Sequence, residues 1–364
     1  MNIMFTSDLS GMGGGETSLV NLSQCLSKNN KVVVVCNTDG KLVRVLEEKG
    51  IKTFITNYRD KSNLLRTIGI IRKIIKDEKI DVIHSNDPLT SVLMNAVTLG
   101  MKCQNYWTCH GQWYDFSFLK RTMIMLSNRH IFCVSSKVQE SLRHMGFKNT
   151  SVSYLGIPLE IYSNANKSNI RQDFKISKDS FVIASIARFQ PIKGQLKLVK
   201  AIDRMSREGY NIICLLIGGC IYNNQQEENY YAEIKNYISN NKLEKVVFLT
   251  GERDDIPGIM KTIDLLVVPS DNESFGMVAV EALASELPVI TTPNDGVSEI
   301  LDYSSNFISR TNDDEGLYDS IKNYINNPEL RFEAIDFCKK KKTYYDINRI
   351  SQTYYNVFKN GENK

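Results

Sequence analysis

Residues 264–291 read Asp264-Leu265-Leu266-Val267-Val268-Pro269-Ser270-Asp271-Asn272-Glu273-Ser274-Phe275-Gly276-Met277-Val278-Ala279-Val280-Glu281-Ala282-Leu283-Ala284-Ser285-Glu286-Leu287-Pro288-Val289-Ile290-Thr291. The runs 264–268 and 288–291 have the length and composition of buried strands. Between them a polar loop leads into a helix. Met277, Val278, Val280 and Leu283 give its apolar face, and Ser270, Asp271 and Asn272 are cap candidates. Glu273 is expected just before the helix, and Glu281 about two turns inside it. Free amides of Phe275, Gly276 and Met277 at a helix start suit an anion, above all a phosphate. The two carboxylates suit vicinal hydroxyls. One segment thus offers parts for both ends of a nucleotide sugar.

The same alternation runs through the chain. Strands are expected at 2–6, 31–36, 52–55, 81–84, 103–109, 131–134 and 150–155, with helices at 16–28, 41–49, 63–78, 88–98, 117–129 and 136–145. A polar stretch without periodicity, Ser163 to Asn169, reads as a linker or boundary. Strands then resume near 181–186, 212–217, 246–249, 264–268 and 288–291, and the last segment, 328–358, reads as helical. The pattern implies parallel sheets covered by helices. The fold class expected is α/β, two Rossmann-like doubly wound domains facing each other across a cleft, with ligands beyond the carboxyl ends of the strands. The expected domains are 1–165 and 166–344, with a C-terminal helix at 345–364 packing back on the first.

A chain of 364 residues, 42% apolar and 24% charged, suits two globular domains. No apolar run reaches the roughly 18 residues of a membrane span, and the start, Asn2-Ile3-Met4-Phe5, reads as a strand rather than a leader. Eight cysteines without a Cys-x-x-Cys pair, and four histidines without ligand spacing to them, suit reduced core thiols in the cytoplasm and no metal site. The net charge of +4 gives no reason to expect nucleic acid. Residues 1–160 carry 20 basic against 13 acidic side chains and the remainder 25 against 28, which fits either an anionic surface met by the first half or ordinary scatter.

Four further clusters carry chemistry. Gly11-Met12-Gly13-Gly14-Gly15-Glu16 lies between a strand and a helix, where glycines allow close approach of a ligand, Gly13 and Gly14 foremost. Tight strand–helix turns also need glycine for structural reasons alone. Arg188 and Lys193, in Ala187-Arg188-Phe189-Gln190-Pro191-Ile192-Lys193-Gly194, leave a strand and can converge on one diphosphate. His110, in Thr108-Cys109-His110-Gly111, can donate to a hydroxyl or phosphate, and His84 is a weaker candidate for the acceptor side. Gly218-Gly219 and Gly251-Glu252-Arg253-Asp254 follow strands of the second half. No Asp-x-Asp triplet occurs, which suits a site where cations and a helix start neutralise a leaving diphosphate.

Residues 59–79 combine Arg59, Lys61, Arg66, Arg72, Lys73, Lys76 and Lys79 with leucines and isoleucines. Trp113, Tyr114, Phe116 and Phe118 precede Lys120-Arg121. A basic amphipathic helix with exposed aromatics suits a membrane surface. The same isoleucines equally suit packing on a sheet.

Glu273 and Glu281, separated by seven residues, together with the glycine loop, His110 and the Arg188/Lys193 pair, resemble the motifs of retaining glycosyltransferases of family GT4, which have the GT-B fold. Pro269, Pro288-Val289-Ile290 and Glu299 also fall where that family has them. Asp295-Gly296 and Leu155-Gly156 stand where Gly-Gly and Asn-Gly are common, and Ala187 replaces a glycine. The resemblance implies transfer of a hexose-type sugar, with retention, from a UDP- or GDP-sugar to a glycan or lipid-linked acceptor in surface polysaccharide synthesis. No cofactor beyond that donor is implied. Arg188 and Lys193 would bind the diphosphate, and Glu281 the ribose. Glu273 and the backbone of Ser274, Phe275, Gly276 and Met277 would position the sugar. His110 would contact the sugar or its phosphate. Gly218 and Arg253 would line the nucleotide. The departing phosphate itself would take the acceptor proton, so no protein base is named. The location implied is cytoplasmic, with a peripheral contact to the inner membrane face through the N-terminal half as a further expectation. A nucleotide-sugar epimerase of similar fold, or a non-catalytic nucleotide-sugar-binding protein, are the alternatives.

Overall fold

A computed structural model describes residues 1–60, 63–111, 116–220, 225–302 and 304–362. The chain forms two compact units, 1–158 with 345–364, and 159–344.

The first unit runs β1 (Asn2–Ser7), α1 (Gly14–Ser27), β2 (Lys31–Cys36), α2 (Lys41–Glu48), β3 (Lys52–Ile55), α3 (Leu64–Asp77), β4 (Val82–Ser85), α4 (Pro88–Thr98), β5 (Gln104–Cys109), α5 (Phe118–Ser127), β6 (Asn128–Cys133), α6 (Ser136–His144) and β7 (Thr150–Val152). Among the described residues its strands lie in the order β3-β2-β1-β4-β5-β6-β7, each pair parallel. Successive residues of one strand feed opposite faces. Ile3, Phe5, Val32 and Val34 join one apolar cluster, while Met4, Val33 and Val35 join the other with Ile71, Ile74 and Ile75 of α3. The isoleucines of α3 therefore pack largely on the sheet. Leu65 and Ile70 stay exposed.

The second unit runs α7 (Leu159–Ser163), α8 (Ile170–Asp173), β8 (Phe181–Ile186), α9 (Gln195–Arg207), β9 (Ile212–Ile217), α10 (Gln225–Asn240), β10 (Val247–Gly251), α11 (Ile256–Met260), β11 (Leu265–Val268), α12 (Met277–Ala284), β12 (Val289–Thr291), α13 (Asp295–Ile300), α14 (Asp314–Asn326) and α15 (Pro328–Lys341). Its parallel sheet has the order β10-β9-β8-β11-β12.

Two expectations differ from the structure. The polar stretch 163–169 lies inside the second unit: the Ser168 amide donates to the Gly258 carbonyl at 3.0 Å and to Thr262 Oγ1 at 2.9 Å. The helix expected over 328–358 is two helices, α15 and α16 (Ile347–Glu362), broken at 342–346. Here the Ile157 amide donates to the Tyr345 carbonyl at 2.9 Å, and the Ile347 amide returns to the Ile157 carbonyl at 2.9 Å. Ile347, Ile350, Tyr354 and Phe358 of α16 enter the core of the first unit. Trp113 and Tyr114 lie outside the described residues.

In each sheet the strand order reverses once, between β1 and β4 and between β8 and β11. Loops that leave neighbouring strands there diverge to opposite faces and open a crevice at their carboxyl ends. Gly13, Gly14 and His110 follow strands at or beside the first of these points, and Arg188, Lys193 and Glu273 follow the two strands at the second.

Candidate active site

At the reversal point of the second unit, the loop after β8 meets the loop after β11. Gly194 adopts φ +67°, and a Cβ there would stand 1.9 Å from the Pro269 carbonyl oxygen. Only glycine permits that approach. The Asp271 amide donates to the Ile192 carbonyl at 2.8 Å, fastening the loops together. Lys193 Nζ then lies 2.7 Å from Glu273 Oε1, with 19% and 15% of the two side chains exposed. The Ser270 hydroxyl donates to the same oxygen at 2.8 Å.

The turn after Glu273 is built on two glycines. Gly276 has φ +98°, and a Cβ on it would meet Val297 Cγ2 at 2.4 Å. The Gly296 amide donates to the Glu273 carbonyl at 2.8 Å, and a Cβ on Gly296 would stand 2.4 Å from the Phe275 nitrogen. Asp295-Gly296 thus keeps the glycine that matters for packing. The side chains of Ser274, Phe275 and Met277 are buried, so these residues can offer a ligand their backbone.

The left-handed Gly276 also sets where α12 begins. It is the N-cap, and α12 starts at Met277. Glu281 is therefore about one turn inside the helix, not two. Ser270, Asp271 and Asn272 do not cap it. Ser270 serves Glu273, and Asp271 pairs with Lys197 Nζ at 2.6 Å. Glu281 is half-buried, and burial pushes its carboxyl up to about 7. The hydroxyl of Tyr162, on α7, hydrogen-bonds it and opposes that rise.

Arg188 is half-buried at the exit of β8, and its carbonyl accepts from Gln195 Nε2 at 2.7 Å. Gly218 lets the next strand exit close on this segment, since a Cβ there would fall 2.1 Å from the Ala187 carbonyl oxygen. Arg253 is engaged elsewhere. Its Nε donates to Asp255 Oδ1 at 2.8 Å and a terminal nitrogen to Asp173 Oδ2 at 3.2 Å, holding Asp255 down to about 2. A hollow of about 830 Å³ lined by Asn294, Asp295, Ser298 and Arg310 has neither Lys193 nor Glu273 on its wall.

At the reversal point of the first unit, α1 starts at Gly14 with Gly13 as an extended N-cap, ahead of the expected residue 16. Asn86, just beyond β4, bridges two candidates. Its Nδ2 lies 3.4 Å from the Gly15 carbonyl oxygen and its Oδ1 2.9 Å from His110 Nε2. Burial lowers His110 to about 4, so it is neutral at pH 7. Asn86 was not among the residues singled out from the sequence. Its role depends on the register of β4 against β1 and β5, which sequence alone does not give. His84 belongs to the core: its Nε2 lies 2.9 Å from Thr108 Oγ1, and its ring packs among Phe5, Phe132, Tyr354 and Phe358. Arg59, counted above among membrane-facing cations, is bound through its Nε to Asp8 Oδ1 at 2.7 Å.

The profile described as "Glycosyl transferases group 1" matches residues 166–341, and that described as "Glycosyltransferase Family 4" matches 12–161. The capsular polysaccharide biosynthesis glycosyltransferase CapM of Staphylococcus aureus is 25% identical over 339 residues, covering 87% of this chain and 86% of its own. The UDP-Gal:α-D-GlcNAc-diphosphoundecaprenol α-1,3-galactosyltransferase of Escherichia coli is 23% identical over 347 residues, covering 86% and 88%. The crystal structure of HepE from Anabaena in complex with UDP matches with a TM-score of 0.87 at 20% identity, over 99% of this chain and 100% of that one, a likeness of fold. Between them the two profiles span nearly the whole sequence, and the chain belongs to the group 1, family 4 glycosyltransferases of GT-B fold.

Proposed function

We propose that the chain transfers a hexose-type sugar from a nucleotide-diphosphate sugar, with retention, to a glycan or lipid-linked acceptor in surface polysaccharide synthesis. The observation that carries this reading is the Lys193–Glu273 pair, fixed between two strand exits and beside the start of α12. A cation and a carboxylate are then held together a few residues ahead of a helix start. That suits a sugar diphosphate, whose phosphates need positive charge and whose hydroxyls need acceptors.

In this reading Lys193 and Arg188 stabilise charge on the departing diphosphate. Glu273 and the 274–277 backbone orient the sugar, and Glu281 accepts from the ribose hydroxyls. The bond from the anomeric carbon to the phosphate oxygen breaks. The acceptor oxygen bonds to that carbon on the same face, and its proton passes to the departing phosphate. Gly13, Gly14 and Gly218 let the backbone approach the nucleotide sugar closely. Arg253 acts on the nucleotide through the β10 loop that it anchors. Support for a uridine donor and a lipid-linked acceptor comes from the E. coli relative, whose name specifies both.

We also propose a peripheral membrane contact through α5, where Phe118, Leu119 and Leu126 are 75%, 69% and 82% exposed beside Lys120 and Arg121. Among the described residues no helix is long and apolar enough to cross a membrane. The reaction is tested with purified chain, UDP- and GDP-hexoses and a polyprenyl-diphosphate sugar. Acceptor-dependent nucleotide release with an α-configured product is expected from an α-linked donor. A β-configured product overturns retention, and interconversion of the free donors without transfer would turn the assignment to an epimerase.

A further inference from the structure

We propose that Asn86 is a positioning residue that fixes His110 in its Nε2–H tautomer, so that Nδ1 presents a lone pair to a hydroxyl of a bound sugar. The hydroxyl part rests on the nucleotide-sugar reading above; the tautomer part does not.

The argument follows from what each group can donate. The carbonyl of Gly15 can only accept, so the Asn86 atom facing it at 3.4 Å is the amide nitrogen. The side-chain oxygen is thereby turned toward His110 Nε2, 2.9 Å away. An oxygen there can only accept, so Nε2 must carry the proton. The reversed amide would set two oxygens against each other at Gly15. Asn86 is itself held: it is buried, and its backbone amide donates to the Thr6 carbonyl at 2.9 Å. A neutral imidazole with its proton on Nε2 has a bare Nδ1. Nδ1 makes no hydrogen bond among the described residues, and a methyl group on Gly15 would sit 3.7 Å from it. The glycine loop therefore leaves space beside this nitrogen. An acceptor cannot bond a deprotonated phosphate oxygen, so the ligand group facing it must be a donor. On a hexose, that is a hydroxyl. Burial, which keeps the ring neutral at physiological pH, holds it in this role.

The chain has four histidines, which makes the test direct. The full chain is labelled with 15N-histidine, His110 is assigned with His110→Gln, and ring tautomers are read from long-range 1H–15N correlations. The expected result is a pyrrole-type Nε2 and a pyridine-type Nδ1 at His110 without ligand. Asn86→Leu should yield a mixture of tautomers. Asn86→Asp, which keeps an acceptor and adds charge, should keep Nε2–H and raise the pH at which the ring titrates. Circular dichroism and melting temperature confirm that each variant is folded. An Nδ1–H ring in the unmutated chain, or an unchanged tautomer in a folded Asn86→Leu, overturns the proposal. UDP or GDP, added at concentrations that raise the melting temperature, should leave the Nδ1 resonance in place. A phosphate-induced shift of Nδ1 overturns the hydroxyl assignment. If neither nucleotide raises the melting temperature, the donor reading fails, while the apo tautomer result decides the role of Asn86.

Discussion

Lys193 and Glu273, on loops that leave neighbouring strands of one sheet, are joined by a 2.7 Å ion pair that Ser270 completes from the carboxylate side. The pair spans the point where the order of the second sheet reverses, so the topology that creates the crevice also brings cation and carboxylate together. Neither side chain is as exposed as an ordinary surface pair, and removing one strands the other.

Lys193→Ala should therefore lower transfer at least about tenfold, since a lost charged contact costs roughly 1.5–3 kcal/mol. Lys193→Arg keeps the charge but not the compact ammonium, and should recover only part of the loss. Initial rates of nucleotide release, with melting curves as a folding control, check both. Unchanged turnover in Lys193→Ala removes the role given to this residue.

Gly194→Ala should be worse tolerated than its size suggests. The position has φ +67°, and the added methyl would drive into the Pro269 carbonyl. Backbone strain and displacement of the loop act together, so a loss of more than about 1 kcal/mol in urea unfolding is expected. Activity should fall further than stability, because the same shift carries Lys193 away from Glu273.

Most strands were legible in the sequence because a strand buried on both faces reads as a short continuous apolar run, as in β2 and β11, while the more polar and less buried β3 and β7 follow from the alternation with helices around them. Lys193 and Glu273 could be picked out because each lies on a loop that follows one of those runs. The start of α12 was misjudged because Ser270-Asp271-Asn272 has the chemistry of a cap, while a left-handed glycine further on decides the matter. Tyr162 and Asn86 were not legible. Each acts on a residue remote in sequence, Glu281 and His110, and only strand register and helix packing show the pairing. The break at 342–346 was missed for the same reason: Lys339 to Lys342 continue a helical pattern, and the Ile157 backbone that interrupts it lies far away.

Phe118→Asp together with Leu119→Ser should weaken pelleting with anionic liposomes while leaving nucleotide-induced thermal stabilisation intact, because α5 is an element of the first unit. Pelleting of the unmutated chain should fall as salt rises, as expected where Lys120 and Arg121 contribute. Equal pelleting of variant and parent would place the contact elsewhere.

Glu281 links stability to pH. Its carboxyl titrates near 7 in the folded chain against an ordinary 4.5, chiefly through burial, so the folded state binds a proton that the unfolded state has already released between those values. Its contribution is present in full below about 4.5 and is lost as pH rises through about 7. Glu281→Gln removes that dependence. At pH 8 the variant should be more stable than the parent by on the order of 1–3 kcal/mol, the gap closing toward pH 4, while nucleotide binding weakens at least about tenfold. Tyr162→Phe acts in the opposite direction on the same group. Without the hydroxyl that favours the charged form, the carboxyl should titrate higher still, and the midpoint of nucleotide affinity against pH should move up. Titration calorimetry with UDP between pH 6 and 9 measures that midpoint. A downward move would mean that the Tyr162 hydroxyl does not stabilise the ionised carboxylate, and Glu281 would then owe its ionisation to another neighbour.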